Sequence, residues 1–257
     1  MSMAIPAVFL SHGAPTLAVE QTAETRAWAA LANELPRPRE ILAVSAHWDT
    51  DAPMVSTAAK PETIHDFNGF PAELYAQRYP APGAPTLAAR VARLLGAAGL
   101  ECATDAARGL DHGAWVPLKW MYPDADIPVT QLSVQSRRGA RHHFALGKAL
   151  ESLRGDDVLV LASGGIVHNL REIQWQAREP VAWAQSFNDW IAARVQSGAV
   201  DELLDYRANA PAAVRSHPTD EHLEPFFVAL GAGALPARRL ELGFTYGTLG
   251  MDSYVFG

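Results

Sequence analysis

The sequence predicts an α/β fold, with a mostly parallel central sheet flanked by helices. Short apolar runs bounded by Gly, Pro or polar residues are typical of strands buried on both faces. Four such runs occur, at 4–10, 40–46, 127–134 and 157–163. Apolar residues recur at helical spacing in three further segments, at 84–100, 141–154 and 180–196. Strands that alternate with helices indicate a largely parallel sheet.

The chain shows no obvious boundary between domains. It contains no internal repeat, no low-complexity tract and no long flexible linker. The segment 67–85 is rich in Pro and Gly, and we expect a long ordered loop there. The segment 240–257 alternates too irregularly for a helix and predicts one or two late strands. We therefore expect a single domain over residues 1–257.

Composition excludes several classes of partner. The formal net charge of −7, without any basic block, argues against nucleic acid, which is bound through clustered Lys and Arg. The chain lacks a run of about 18 apolar residues, so we expect no membrane span. Its N-terminus lacks the features of a secretory signal and it has a single cysteine, so the cytoplasm is the expected location. The sequence permits a monomer or a homodimer.

Three histidines follow predicted strands. His12 comes after "AVFLS", His47 after "ILAVSA", and His168 after "VLVLASGGIV". In open α/β sheets, ligands bind outside the carboxyl ends of the strands, so these side chains could converge on one metal site there. Each histidine taken alone could equally be a half-buried residue that bonds to the backbone.

The residues around two of these histidines indicate tight backbone turns. Gly13 and Pro15 force a turn directly after His12. Two glycines in "SGGIVHN" let the backbone before His168 come close to a ligand or to another strand. A phosphate-binding loop is the alternative interpretation, but the segment has neither the spacing nor the lysine of a P-loop.

Two more histidines are candidates for the same site. His112 lies in "GLDHGAW", a loop composition that would expose an imidazole, although it is also compatible with a simple turn. The segment "SHPTDEHLEPFF" predicts a helix that starts with Thr219 as N-cap and carries His222 at its third position. A neutral imidazole at a helix N-terminus suits a metal ligand. Glu221 and His222 point in different directions, so both cannot easily reach one ion.

The remaining histidines receive other interpretations. His142 and His143, at a probable helix start, are expected at the surface, and His217 is expected in a turn before a proline. His65 lies in "TIHDFNGFP", where polar and aromatic residues suggest the wall of a pocket. A packed loop is an equally good explanation of that segment.

Nine short motifs resemble one known family when they are taken in order. They are "SHG", "SAHW", "TIHDFNGFP", "YPAPG", "DHGAW", "MYPDADIP", "QLSV", "SGGIVHNL" and "EHLEPF". Together they span residues 8–224, with no large gap. The chain resembles the 4,5-DOPA extradiol dioxygenase group of the class III extradiol ring-cleavage dioxygenases.

The resemblance implies an enzyme that cleaves a single-ring, DOPA-like catechol with O2 to a muconic semialdehyde. It implies Fe(II) for activity, with Zn(II) as another occupant of the same site. By the resemblance, His12, His47 and His222 are the metal ligands, with Glu221 as an alternative third ligand. His168 is then the catalytic base, and His112 a second acid or base.

The chemistry of the implied ligand set agrees with this interpretation. A face of three nitrogen and oxygen ligands leaves positions open for a catechol and O2, and a nearby histidine can take a proton from the catechol. We expect Trp48, His65, Phe67 and Tyr79 to be walls of the substrate pocket. The alternatives are a zinc hydrolase, since three histidines also hold zinc, and a non-enzymatic metal-binding protein on the same scaffold.

Overall fold

The computed structural model describes residues 4–177 and 179–257, which form ten strands and ten α-helices. The strands are β1 (Ala7–Ser11), β2 (Glu40–Asp49), β3 (Met54–Ser56), β4 (Ala103–Asp105), β5 (Val129–Val134), β6 (Val158–Gly164), β7 (Ala237–Leu240), β8 (Phe244–Thr245), β9 (Leu249–Gly250) and β10 (Ser253–Phe256). The helices are α1 (Ala23–Glu34), α2 (Ala72–Ala76), α3 (Pro85–Ala97), α4 (His112–Met121), α5 (Gly139–Leu150), α6 (Ala182–Ser197), α7 (Val200–Leu204), α8 (Tyr206–Asn209), α9 (Ala213–Ser216) and α10 (Glu224–Ala232).

Eight strands form one sheet, in the order β4, β3, β5, β2, β6, β1, β10, β7. The four central strands, β5, β2, β6 and β1, are parallel to one another. The antiparallel pairs lie to either side, where β10 joins β1, β7 joins β10, and β3 joins β5. The predicted fold class, α/β with a mostly parallel central sheet, is therefore confirmed.

Helices cover both faces of the sheet, and this explains the continuous apolar runs. In β1, Phe9 packs into the core on one face, while Val8 and Leu10 pack into the core on the other. Helices α3, α5, α6 and α10 contribute to the first core, and α1 and α4 to the second. Because successive strand residues point to opposite faces, a strand covered on both sides must be apolar throughout.

The predicted helix start near residue 219 is wrong. Helix α10 begins at Glu224, and its N-cap position is Leu223, without a side-chain capping bond. The proline at 225 lies in the first turn, where its missing N–H and fixed φ are tolerated. A helix that began at Thr219 would place this proline in its interior. Thr219 instead bonds to the Glu221 carboxylate, at 3.0 Å.

The Pro- and Gly-rich segment 67–85 is ordered, and it contains the short helix α2 before the chain enters α3. The late strands predicted in 240–257 are present as β8, β9 and β10. Within the part of the chain that the structure describes, no helix is both long and apolar enough to cross a bilayer.

Candidate active site at the carboxyl ends of the parallel strands

A cavity of about 540 Å³ opens at the carboxyl ends of the central strands. Its lining contains all five histidines that the sequence indicates as ligands or acid–base groups, namely His12, His47, His112, His168 and His222. Aromatic and aliphatic side chains make up much of the rest, among them Phe67, Phe70, Val167, Leu170, Ile173, Trp175, Tyr246, Leu249 and Met251. Convergence at this edge of the sheet follows the rule for ligand sites in open α/β folds.

His12 directly follows β1, and its hydrogen bonds determine its tautomer. Its Nδ1 lies 2.9 Å from Ser163 Oγ. The Ser163 hydroxyl donates its only proton to the carbonyl of Gly113, at 2.5 Å. His12 Nδ1–H must therefore be the donor to Ser163, and the neutral ring carries its free lone pair on Nε2.

His47 lies within β2, two residues before the strand ends. Its Nδ1 is 3.2 Å from a carboxylate oxygen of Asp66, so Nδ1 carries the proton. Its Nε2 faces Nε2 of His12 at 3.0 Å. Burial and the charge of His112 lower the pKa of His47 to about 4, which keeps the ring neutral at neutral pH.

His222 lies in the turn just before α10, and its side chain is buried. Its Nδ1 is 3.1 Å from the Glu221 carboxylate, while its Nε2 is buried without a hydrogen-bond partner. Glu221 thus holds the ring of His222 by accepting from Nδ1. The backbone of this turn lies against the end of β6, because a Cβ at Gly164 would come within 2.0 Å of the His222 carbonyl.

These three imidazoles form a donor set that fits a metal ion. One ring nitrogen from each of His12, His47 and His222 lies within 4.8 Å of the other two. Burial holds the pKa of His12 and of His222 well below its ordinary value, so both rings are neutral. Lone pairs that face one another in a buried site repel, and a cation between them removes that repulsion while satisfying the orphaned His222 nitrogen.

Asp66 joins two of the site histidines, and the sequence analysis did not single it out. One of its oxygens is 3.2 Å from His47 Nδ1 and 3.0 Å from His112 Nδ1. The other accepts the backbone N–H of His112 at 3.0 Å. Burial raises the pKa of Asp66, but the hydrogen bonds and charges of the two histidines outweigh this and hold the pKa well below its usual range. Its only signal in the sequence is the motif "TIHDFNGFP" itself.

His112 is buried, contrary to the expectation that its loop would expose it. It is the first residue of α4, whose N-cap is Asp111, and the Asp111 carboxylate accepts from the N–H of Ala114. Asp in "LDHGAW" is therefore a helix cap, a role that Asp favours because its side chain satisfies a free N–H of the first turn. With Nδ1–H directed to Asp66, the neutral ring of His112 keeps Nε2 as its acceptor.

His168 follows β6 and packs face to face on His222, with ring centroids 3.4 Å apart and planes 9° apart. Its backbone N–H donates to the carbonyl of Ser216, at 3.0 Å. Burial lowers the pKa of His168 to about 3, with smaller contributions from other histidines. The ring is therefore a neutral proton acceptor beside the donor set.

The structure corrects most of the predicted pocket walls. Phe67 lines the cavity, but Trp48, His65 and Tyr79 do not. Trp48 follows His47 in β2, and neighbouring strand residues point to opposite faces, so its ring packs under Arg108 instead. Aromatic residues near a site in sequence thus need not face it.

The other two residues have structural partners outside the cavity. The hydroxyl of Tyr79 is buried and donates to the carbonyl of Tyr122 at 3.0 Å. His65 bonds to the carbonyl of Gln77 at 3.1 Å and packs its ring edge-on against Phe67. Both residues therefore support the wall rather than form it. The aromatic residues that do line the cavity but escaped the sequence analysis are Phe70, Trp175 and Tyr246.

Comparison with known proteins agrees with the geometry. Residues 6–257 match the family described as "Catalytic LigB subunit of aromatic ring-opening dioxygenase". A protein of Escherichia coli K12 named "4,5-DOPA dioxygenase extradiol" is 42% identical, over 100% of this chain and 96% of its own length. The protein of the same name from Portulaca grandiflora is also 42% identical, over 96% of this chain and 94% of its own length.

A solved structure extends the likeness to three dimensions. The crystal structure of an uncharacterized protein from Escherichia coli K12 superposes with a TM-score of 0.83, at 37% identity, over 98% of this chain and 100% of that chain. The match covers the whole sheet and every element that carries a site histidine. The chain therefore belongs to the LigB family of class III extradiol ring-cleavage dioxygenases.

Proposed function

We propose that the protein cleaves the ring of a single-ring, DOPA-like catechol with O2, using a metal ion held by His12, His47 and His222. One observation carries this proposal. Three neutral imidazoles turn unprotonated nitrogens toward one another in an otherwise largely apolar cavity. The names of the relatives, 4,5-DOPA dioxygenase extradiol, support the choice of a catechol substrate.

The proposed reaction balances without a further reductant. Both atoms of O2 enter the product, and the ring bond between a hydroxyl-bearing carbon and its unsubstituted neighbour breaks. One end becomes a carboxylate and the other an aldehyde, so the product is a hydroxymuconic semialdehyde. The electrons come from the catechol itself.

The donor set suits a divalent first-row metal, Fe(II) for turnover and Zn(II) as a competing occupant, because imidazole binds both well. When bound, such an ion supplies a site where catechol and O2 meet, and it lowers the pKa of the catechol hydroxyls. Glu221 and Asp66 hold His222 and His47 in the tautomers that the ion requires, since each accepts the Nδ1 proton.

His168 is the proposed general base. Its ring lies against His222 and is neutral, so it can accept a proton from the second catechol hydroxyl. The buried ring is a weak base by itself. An anionic catecholate alongside it favours the protonated form, because an opposite charge nearby raises the pKa of a histidine.

His112 is the proposed proton donor to the oxygen that leaves the ring carbon. Its Nδ1–H is committed to Asp66, so only Nε2 is available to exchange a proton with the substrate. The carboxylate also compensates the positive charge that His112 acquires in its protonated form. Histidines on two sides of the donor set thus divide the base and acid roles.

The test is reconstitution under anaerobic conditions. Metal-free protein is loaded with Fe(II), mixed with DOPA or 4-methylcatechol, and exposed to isotopically labelled O2. We expect a yellow product, one O2 consumed per catechol, and both labelled atoms in the product by mass spectrometry. Protein loaded with Zn(II) serves as the control and should stay inactive.

Two outcomes would contradict the proposal. Iron bound at one ion per chain without oxygen uptake, across a panel of catechols, would exclude ring cleavage. Oxygen consumption that yields a quinone without labelled oxygen would mean oxidation instead of cleavage. The earlier alternative of a zinc hydrolase finds no support in the family match, whose description is of a ring-opening dioxygenase.

A further inference from the structure

The mouth of the cavity is unusually apolar. Leu170 and Trp175 line the cavity, yet they are 59% and 70% exposed, which places them at its opening to solvent. The ring of Trp175 lies 4.8 Å from the ring of Tyr246, another lining residue. Large exposed apolar side chains grouped at a cavity typically mark a binding surface.

This rim is a built feature of the fold. The N–H of Gln174 donates to the carbonyl of Tyr246 at 3.1 Å, and the N–H of Val181 donates to that of Gly247 at 2.8 Å. These bonds fasten the segment that carries Trp175 to the turn that carries Tyr246. The aromatic pair is therefore held in place before any ligand binds.

Charge is scarce along the same lining. Among the described residues, no Asp, Glu, Lys or Arg lines the cavity. The nearby ionic groups have partners of their own, since Arg215 pairs with Glu172 at 2.5 Å and Glu221 accepts from His222 and Thr219. A zwitterionic ring substituent would lose water in this cavity without gaining an ion pair from the lining.

We propose that the preferred substrates are catechols whose ring substituent is uncharged and apolar, with that substituent packed against Leu170, Trp175 and Tyr246. This inference rests on the proposed function, because it assumes that the two catechol oxygens bind at the histidine end. It narrows that function to a substrate class. The cavity of about 540 Å³ lies in the range typical of sites for drug-sized ligands, so it has room for an alkyl or aryl group beyond the catechol ring.

The test is a comparison of kcat/KM across matched catechols with the iron-loaded protein. The alkyl series is 4-methyl-, 4-ethyl- and 4-propylcatechol. DOPA has a side chain of similar length but carries a carboxylate and an ammonium. Dopamine and 3-(3,4-dihydroxyphenyl)propionate carry one charge each and separate the two effects.

We expect kcat/KM to rise roughly fourfold per added methylene, through KM, because each methylene removed from water contributes a similar increment of binding. We also expect 4-propylcatechol to exceed DOPA by at least about tenfold, since DOPA must desolvate unpaired charges. Equal or higher kcat/KM for DOPA would overturn the inference, as would a flat alkyl series.

Variants locate the effect at the rim. Trp175→Ala and Leu170→Ser should reduce the increment to below about twofold per methylene, because the substituent then stays in contact with water. Val214→Ser is the matched control, because Val214 is 63% exposed and does not line the cavity. A full increment in both rim variants would contradict the assignment of these residues.

The inference and the proposed function fail in distinguishable ways. If no catechol in the panel is cleaved although iron is bound, the proposed function is wrong. If catechols are cleaved with both labelled oxygen atoms in the product but charged substituents are favoured, only the substrate class is wrong.

Discussion

Two buried histidines near opposite ends of one turn differ in how their ring nitrogens are satisfied. His143, in α5, is fully buried, and its Nε2 accepts the backbone N–H of Gln135 at 3.0 Å. Its Nδ1 lies 2.9 Å from the carbonyl of Gly139 and 2.6 Å from the Glu224 carboxylate. His222, just before α10, is also buried, but its Nε2 has no partner.

The comparison teaches that burial alone does not mark a metal ligand. Both nitrogens of His143 have protein partners, so its role is to join α5 to the start of α10. One nitrogen of His222 is left over, and it points to where nitrogens of two other histidines converge. An unsatisfied buried donor or acceptor requires an explanation, and a metal ion is the one that fits here.

The largest effect should come from removing a ligand. His222→Ala, like His12→Ala or His47→Ala, should weaken Fe(II) and Zn(II) binding by more than about a hundredfold and abolish turnover, since even residues that merely orient ligands contribute 10- to 100-fold. Metal content after dialysis against a chelator measures this. His143→Ala should retain one metal per chain. Glu221→Ala that lost metal as completely as His222→Ala would point to Glu221 as the third ligand.

The next effect separates catalysis from metal binding. His168→Ala should keep the bound metal and lower kcat by about 10²–10⁴-fold, the usual contribution of a general base. Metal content and initial rates of oxygen uptake on the same sample give both quantities. Loss of the metal together with activity would favour a site with four histidine ligands.

His143→Ala tests the structural side of the comparison. Removing one member of a buried pair leaves Glu224 without its partner, and we expect a loss of about 3–5 kcal/mol in the free energy of unfolding. Urea denaturation monitored by circular dichroism measures it. His142→Ala is the matched control, because that neighbouring side chain is only partly buried, and it should cost less than about 1 kcal/mol. Equal costs for the two variants would remove the distinction.

Asp66→Asn should have an intermediate effect on the site. The amide cannot accept from His47 and His112 as a carboxylate does, so we expect metal affinity to fall roughly 10–100-fold. Competition with a chromogenic chelator measures the affinity, and Asp66→Glu should restore part of it. Unchanged affinity in Asp66→Asn would mean that the loop backbone alone orients these rings.

The smallest effect concerns pH. Burial lowers the pKa of His217 to about 4, and its Nε2–H donates to the carbonyl of Ile166 at 2.8 Å. The unfolded chain binds this proton near pH 6.5, so stability should fall as pH decreases from about 6.5 to about 4, with up to about 1.4 kcal/mol per pH unit from this residue. His217→Gln should reduce the slope in urea denaturation. An unchanged slope would assign the pH dependence to other histidines.

Much of the architecture could be predicted from local sequence. The four apolar runs correspond to β1, β2, β5 and β6, and the predicted helices to α3, α5 and α6. His12, His47 and His168 could be placed at one edge because parallel strands end together. The partners of these side chains could not be predicted, because they come from residues far away in the chain.

Particular residues show where local pattern stopped being informative. His143 was expected at the surface, but packing of α10 against α5 buries it. Asp66 reaches His112 across 46 residues of sequence, and no spacing rule connects them. Trp48 and Tyr79 were predicted as pocket walls, yet they face other partners across the core.

The sequence by itself determined the alternation of strands and helices, because hydrophobic periodicity is a local property of the chain. It also determined which residue types stand at the strand ends. Only the tertiary structure decided which nitrogens of those histidines carry protons, which residues hold them, and which apolar side chains form the mouth of the cavity. Those properties depend on hydrogen bonds and contacts between distant segments, and such contacts exist only once the chain has folded.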